Sequence, residues 1–131
     1  MEDENMIVDT TVFIDLLRGE PNAQHFFLQP SQDLMISRVS VMELVDGLKQ
    51  KRDILLLHRQ LRQLQVEIAE LNVDISTRAG AIHEMYHHAH GIGIADALIA
   101  ATAMERNDEL VSHNAKHFMS IEGLRVVVPY R

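Results

Sequence analysis

The sequence predicts an α/β protein in which a mostly parallel sheet of four or five strands lies between two layers of helices. One observation is a series of short apolar runs without alternation, which is typical of strands buried on both faces. Another is that segments with helical spacing of apolar residues separate these runs. The length of 131 residues also suffices for one domain with its own core. We therefore expect a three-layer α/β/α sandwich formed by residues 6–131, preceded by an acidic tail over residues 1–5.

Two apolar runs and three helical patterns account for the first part of the chain. The run at 6–8 predicts a strand, and the two threonines that follow Asp9 can cap the next helix. That helix stops at a Gly-Glu-Pro turn, and a short helix over 22–29 follows it. The run at 34–37 predicts the second strand. Apolar residues every three or four positions then predict a helix over 40–50.

The same patterns continue to the end of the chain. Leucines at helical spacing predict a helix over 53–65, which we expect to pack against the domain, a second copy or a partner helix. The other predicted elements are a strand over 66–69, a helix over 74–90, a helix over 92–103, a strand over 109–112, a loop or turn over 113–118 and a last strand over 124–128. Ligands of open α/β sheets gather at the carboxyl ends of the strands, and we expect a functional site at that edge.

The composition excludes several classes of protein. There is no cysteine, which rules out disulfides and thiolate metal sites. The net charge of −7 argues against a general nucleic-acid coat, which needs a basic surface, but is compatible with an enzyme that handles RNA through metal ions. No apolar run has the length of a membrane span, and the acidic start is unlike a signal peptide. We expect a cytoplasmic protein with no membrane partner.

Three carboxylates are predicted to meet at the carboxyl edge of the sheet. Asp9 follows the first strand, and Glu43 and Asp96 lie in the starts of helices that point to the same edge. Carboxylates brought together repel, and a divalent cation removes that conflict. Ligands that are all oxygen select Mg²⁺ or Mn²⁺ over Zn²⁺, and such a site suits phosphodiester hydrolysis. Taken singly, Asp9 also fits a helix cap, Glu43 a solvated position and Asp96 a first-turn acid that the helix dipole favours.

Other polar residues are candidates for supporting roles near these acids. Asn114 lies just beyond the fourth predicted strand, so its side chain can converge with the three carboxylates. Thr11 and Ser112 can hydrogen-bond the acids from a second layer around a metal, although both residue types are common in caps and turns. Lys116 fits either a phosphate contact or a solvated surface.

Four segments of the chain resemble, in order, motifs of the PIN-domain nucleases, and within them of the VapC-type toxins of toxin–antitoxin pairs. The segments are MIVDTTVFID at 6–15, SRVSVMELVDG at 37–47, IADALIAATA at 94–103 and LVSHNAKHF at 110–118. Each motif is weakly specific alone, but the four in register cover nearly the whole chain. The resemblance implies a PIN-like fold and a Mg²⁺- or Mn²⁺-dependent endoribonuclease that acts on tRNA or other structured RNA.

The resemblance also assigns roles to particular residues and implies partners. The invariant acids of the family fall on Asp9, Glu43 and Asp96, which would hold the metal. The fourth family position, often acidic, falls within residues 114–117, where this sequence has no carboxylate. Asn114 is the better candidate there, as a neutral oxygen ligand or a water-orienting group, and a second ion is then expected to bind only with substrate. The family further implies a homodimer and a cognate antitoxin that blocks the site.

Two other functions fit parts of the sequence. The segment His83-Glu84-Met85-Tyr86-His87 matches the H-E-x-x-H pattern of zinc peptidases, in which two histidines bind Zn²⁺ and the glutamate acts as base. No third ligand lies at a known spacing, although His90 follows one turn later. A PIN-like module that binds RNA or protein without activity is the other alternative, and the complete set of three acids argues against it.

Overall fold

The computed structural model describes residues 5–29 and 33–131 and contains a sheet of five strands. The strands are β1 (Asn5–Val8), β2 (Asp33–Ser37), β3 (Glu67–Ala69), β4 (Glu109–Val111) and β5 (Val126–Val127). The helices are α1 (Thr10–Leu17), α2 (Pro21–Phe27), α3 (Arg38–Asp46), α4 (Lys51–Gln63), α5 (Val73–His90), α6 (Ile94–Arg106) and α7 (Ala115–Phe118). Every predicted strand is present, with bounds that differ by one or two residues.

The strands are parallel and lie in the order β3-β2-β1-β4-β5. The chain therefore builds the sheet outward from β1 in one direction and later returns to add β4 on its other side. Strand order reverses between β1 and β4, and in open α/β sheets the crevice at such a point is where ligands bind. The residues that directly follow β1 and β4 are therefore placed side by side at the carboxyl edge.

Helices cover both faces of the sheet, which confirms the predicted three-layer α/β/α sandwich. Met6 and Val8 belong to the core formed with α1 to α4, whereas Ile7 belongs to the core formed with α5 to α7. All three side chains are at most 9% exposed, as expected for a strand buried on both faces. On the second face, α6 contributes the alanine-rich run from Ala100 to Ala103, which is fully buried.

Capping side chains at the strand ends decide where two of the helices begin. The N-cap of α1 is Asp9 rather than Thr10 or Thr11, because its Oδ1 accepts a hydrogen bond from the backbone N–H of Thr10. Ser37 is both the last residue of β2 and the N-cap of α3. That helix therefore starts two residues earlier than predicted, and Glu43 is its sixth residue rather than a first-turn residue.

The leucine-rich helix packs on the sheet with part of its surface. Leu57 and Leu61 of α4 are 4% exposed and belong to the first core. Leu55 and Leu56 are 71% and 52% exposed, so α4 packs against the described part of the domain through one face only. The segment predicted as a loop or turn at 113–118 contains the short helix α7.

One residue of the predicted acidic tail belongs to the sheet. Asn5, which the sequence placed in the tail, is the first residue of β1, and residues 1–4 lie outside the described part of the chain. In the part that the structure describes, no helix combines the length and apolarity needed to cross a bilayer.

Candidate metal and phosphodiester site

Asp9 stands where β1 ends and α1 begins, and the fold buries it to 5% exposure. Its backbone N–H donates to the carbonyl oxygen of Val111 at 2.8 Å, which continues the β1–β4 ladder by one residue. Its Oδ1 accepts from the backbone N–H of Thr10 at 2.8 Å. Its Oδ2 accepts from the hydroxyl of Ser112 at 2.8 Å and from that of Thr11 at 3.1 Å. Three neutral donors therefore fix the orientation of this carboxylate.

The environment of Asp9 disfavours its ionised form. Burial raises the pKa of Asp9 above the ordinary value of 3.8, and the negative charge of Asp96 raises it further. The hydrogen bonds from Ser112, Thr10 and Thr11 act in the opposite direction without cancelling the effect of burial. A carboxylate whose charge is unfavourable in this way is stabilised by a nearby cation.

Glu43 is tied to the same end of the sheet through Thr10. The Thr10 hydroxyl lies 2.7 Å from Oε1 of Glu43 and 2.8 Å from Oγ of Ser40. Because a hydroxyl carries one proton, Thr10 donates to the carboxylate and accepts from Ser40. Ser40 is fully buried, so this bridge anchors α3 to the start of α1 and places Glu43 beside the residue that follows Asp9.

Asp96 lies in the first turn of α6, as predicted, and its neighbour is an imidazole that sequence analysis did not select. Nε2 of His117 lies 2.9 Å from Oδ2 of Asp96. His117 belongs to α7, which follows β4, so this contact joins the end of the sheet to the start of α6. Helical spacing is the signal that could have indicated His117. Residues three apart lie on the same face of a helix, and His117 is three residues after the candidate Asn114.

Asn114 contributes to the site through its backbone in the described structure. Its N–H donates to the Ser112 hydroxyl at 2.9 Å, and Ser112 in turn donates to Asp9. Asn114 is the N-cap of α7, but its side chain makes no capping hydrogen bond and is exposed to solvent. His117, two residues into the helix from Ala115, is therefore the residue of α7 that contacts a predicted acid. Asn114 instead orients Ser112.

Comparison with known proteins identifies the family of this chain. A family model described as PIN domain matches residues 6–123. The chain belongs to the PIN-domain family. Over 125 residues it is 34% identical to Ribonuclease VapC10 of Mycobacterium tuberculosis, covering 92% of this chain and 90% of that protein.

Solved structures of similar proteins show the same PIN architecture. A chain of a toxin–antitoxin complex from Klebsiella pneumoniae is 30% identical, with a TM-score of 0.75 and coverage of 96% of this chain and 98% of that one. A chain of VapBC-1 from nontypeable Haemophilus influenzae is 25% identical, with a TM-score of 0.76 and coverage of 95% and 97%.

The candidate site has the predicted acids near one edge of the sheet, but they do not form a compact cluster. Among residues 5–29 and 33–131, no group of three or more His, Cys, Asp or Glu is close enough to hold a metal ion together. Asp9 and Asp96 interact electrostatically, whereas Glu43 is held on the Thr10 hydroxyl. This donor set fits Mg²⁺ or Mn²⁺, because such ions take one or two protein carboxylates and keep several waters.

The H-E-x-x-H segment lies elsewhere in this PIN domain, near the C-terminal end of α5. The rings of His83 and His87 stack with centroids 4.7 Å apart, one helical turn from each other. In the described residues no third histidine, cysteine, aspartate or glutamate joins them in a metal-binding group. Nδ1 of His87 instead lies 3.0 Å from the carbonyl oxygen of Ile92, which ties the end of α5 to the following loop. The zinc-peptidase alternative therefore lacks a complete ligand set in this part of the chain.

Proposed function

We propose that this PIN domain is a metal-dependent endoribonuclease that hydrolyses RNA phosphodiester bonds as the toxin of a type II toxin–antitoxin pair. The observation that carries the proposal is a buried carboxylate, Asp9, which lies where strand order reverses and whose pKa is raised by burial and by the negative charge of Asp96. The names of the relatives support it, since one is a VapC ribonuclease and the structural neighbours are toxin–antitoxin complexes.

In this proposal Asp9 and Asp96 hold Mg²⁺ or Mn²⁺, and Glu43 contributes a third oxygen ligand, directly or through water. When bound, the ion supplies positive charge that neutralises the phosphate and promotes attack of water on phosphorus. Thr11 and Ser112 hold the Asp9 carboxylate in position through Oδ2. Asn114 keeps Ser112 in place through its backbone N–H, and its exposed amide is free to orient water at the mouth of the site.

The first turn of α6 adds a favourable field for an anionic substrate. The N-terminal end of a helix carries a partial positive charge, and α6 begins at Ile94 with Asp96 in its first turn. A phosphate beside Asp96 would therefore lie near the first backbone N–H groups of α6 as well. These groups contact the RNA backbone rather than the bases, which favours recognition of RNA shape over sequence at the cleaved bond.

Cleavage by the purified protein tests the nuclease proposal. Wild-type protein should cut structured RNA such as tRNA when Mg²⁺ or Mn²⁺ is added and stop when it is chelated. Asp96→Asn should abolish cleavage. Asp74→Asn is the matched control, because Asp74 is also a first-turn acid but is exposed on α5. Full activity of Asp96→Asn, or equal losses in both variants, would overturn the proposed site.

An antitoxin that covers the site is the second part of the proposal. A groove of about 320 Å³ lies between α1 and α3, and the proposed metal ligand Glu43 is one of its lining residues. Its lining is mainly apolar, with residues Ile14, Leu17, Leu44 and Leu48. An antitoxin segment with apolar side chains for this groove and basic ones for the acids would also complement the net charge of −7.

Expression in a host cell tests the toxin assignment. The protein alone should arrest growth, and co-expression with the antitoxin should restore it and yield a stable complex. Harmless expression of a protein that cleaves RNA in vitro would contradict the toxin assignment while leaving the nuclease intact. We further propose that residues 6–131 act as one PIN-like domain in the cytoplasm, where the RNA substrate is found, and that the protein forms a homodimer, which sedimentation would test.

A further inference from the structure

We propose that His117 is a positioning residue that fixes the carboxylate of Asp96 for metal binding. The proposal rests on the proposed function, because it concerns how this chain prepares one of its metal ligands. It assigns the family's often acidic fourth position in this chain to a nitrogen donor on α7, in place of the Asn114 side chain.

The position of His117 is determined by buried neighbours. Phe118, the next residue, is fully buried in the second core, and Ala115 on the same short helix is 8% exposed. The helix follows β4, whose register with β1 also places Ser112 against Asp9. The imidazole is thus supplied by a packed element and not by a mobile surface chain, and its side chain is 21% exposed.

His117 contacts one of the two oxygens of the Asp96 carboxylate. Its Nε2 lies 2.9 Å from Oδ2. In the described part of the chain no side chain donates to Oδ1 of Asp96. The Nε2–H of His117 therefore orients the carboxylate through one oxygen and leaves the other for the ion. Groups that orient a metal ligand in this way contribute about 10- to 100-fold to metal affinity.

A nitrogen donor has a further advantage over a carboxylate at position 117. Burial and the charge of Asp96 already raise the pKa of Asp9, so another negative charge beside Asp96 would add repulsion. An imidazole N–H supplies the hydrogen bond without adding a negative charge. In this chain, α7 thus orients the existing acid Asp96 and does not add a further acidic ligand.

Two amide substitutions that differ only in side-chain length separate a hydrogen bond at Nε2 from other roles of the ring. In His117→Gln the amide nitrogen occupies about the depth of Nε2 along the side chain, so the bond to Asp96 can be kept. In His117→Asn the amide nitrogen occupies about the depth of Nδ1 and cannot reach Oδ2. His90→Gln is the control, because His90 is an exposed histidine at the end of α5.

The measurement is titration of the intact protein with Mn²⁺, followed by electron paramagnetic resonance of the free ion, with Asp96→Asn included. We expect His117→Asn to weaken Mn²⁺ binding by about 10- to 100-fold. We expect His117→Gln to stay within about threefold of wild type and His90→Gln to match it. RNA cleavage measured at saturating Mn²⁺ should then recover largely in His117→Asn, because the lost affinity is overcome by concentration.

Each outcome of this titration has a distinct meaning. Unchanged affinity in His117→Asn, with binding lost in Asp96→Asn, would overturn the inference and leave the proposed metal site standing. Equal loss in His117→Gln and His117→Asn would also overturn it, because the ring would then act as a ligand or as packing. Wild-type protein that binds no Mn²⁺, or binds it equally after Asp96→Asn, would instead refute the proposed function.

Discussion

Replacing Asp9 by alanine or by asparagine should change the stability of the apo-protein in opposite directions. Alanine removes the α1 N-cap, which costs about 1 kcal/mol. It also leaves the fully buried hydroxyl of Ser112 without its acceptor, which costs about 1–3 kcal/mol. We therefore expect Asp9→Ala to lower the free energy of unfolding by about 2–4 kcal/mol. The free energy of unfolding of a typical domain is about 5–15 kcal/mol, so the variant should still fold.

Asparagine preserves the shape of the side chain and caps a helix as well as aspartate does. Its oxygen can accept from the Thr10 N–H, and its amide nitrogen can donate to the hydroxyl oxygens of Ser112 and Thr11. It also removes the negative charge that burial and Asp96 make unfavourable. We expect Asp9→Asn to be at least as stable as wild type at neutral pH when divalent ions are chelated. The variant should nevertheless lose Mn²⁺ binding and RNA cleavage.

The pH dependence of this difference has a definite sign. The folded pKa of Asp9 is raised above 3.8, so the native state keeps its proton to higher pH than the unfolded chain does. Stability that comes from protonated Asp9 is complete below pH 3.8 and is lost as the pH rises through the folded pKa. The advantage of Asp9→Asn over wild type should therefore be smallest in acid and grow toward neutral pH.

Urea unfolding followed by circular dichroism, with chelator present, measures these free energies across the pH range. Adding Mn²⁺ should stabilise wild type, by about 2.7 kcal/mol at 100 times its dissociation constant, and leave Asp9→Asn unchanged. Equal stability of the alanine and asparagine variants would refute the role assigned to the Asp9 hydrogen bonds. An asparagine variant less stable than wild type at neutral pH would refute the inference that the charge of Asp9 destabilises the apo-protein.

Three further substitutions test the surroundings of the site. Phe118→Ala should lower the free energy of unfolding by about 3–5 kcal/mol, because this ring is fully buried beside His117. A drop in melting temperature of only a degree or two would contradict its place in the core. Tyr130→Phe should reduce the loss of stability above pH 10, since burial and the hydrogen bond to Asp15 raise the pKa of Tyr130 and favour its neutral form. Urea midpoints that fall equally with pH in both proteins would contradict this. Arg38→Ala should leave the thermal midpoint unchanged, because its ion pair with the exposed Glu70 is screened by solvent, and a clear drop would show that the pair matters.

Local sequence patterns predicted the strands well because burial on both faces demands uninterrupted apolar runs. The run at 6–8 is an example, and its abrupt end at Asp9 placed an acid at the carboxyl edge. The bounds of the helices were harder to predict. Ser37 ends a strand and caps a helix at once, and periodicity alone does not locate such a direct transition.

The candidate site was predictable to the extent that topology brings strand ends together. Parallel strands of known order place Asp9 beside Ser112, and the structure has their side chains hydrogen-bonded. The role of Thr10 as a bridge to Glu43 was not predicted, because a threonine after a strand is equally common as a cap. His117 was missed because 113–118 lacked the apolar periodicity of a longer helix.

The sequence by itself determined that this chain forms a parallel α/β sandwich and that its acids lie at the carboxyl edge of the sheet, because strand burial and the order of elements are encoded in residues near one another. Only the tertiary structure decided which oxygen of Asp96 is held and by which partner. That contact joins α6 to α7 across 21 positions of the chain. It depends on how Phe118 packs in the core, and no local pattern specifies such packing.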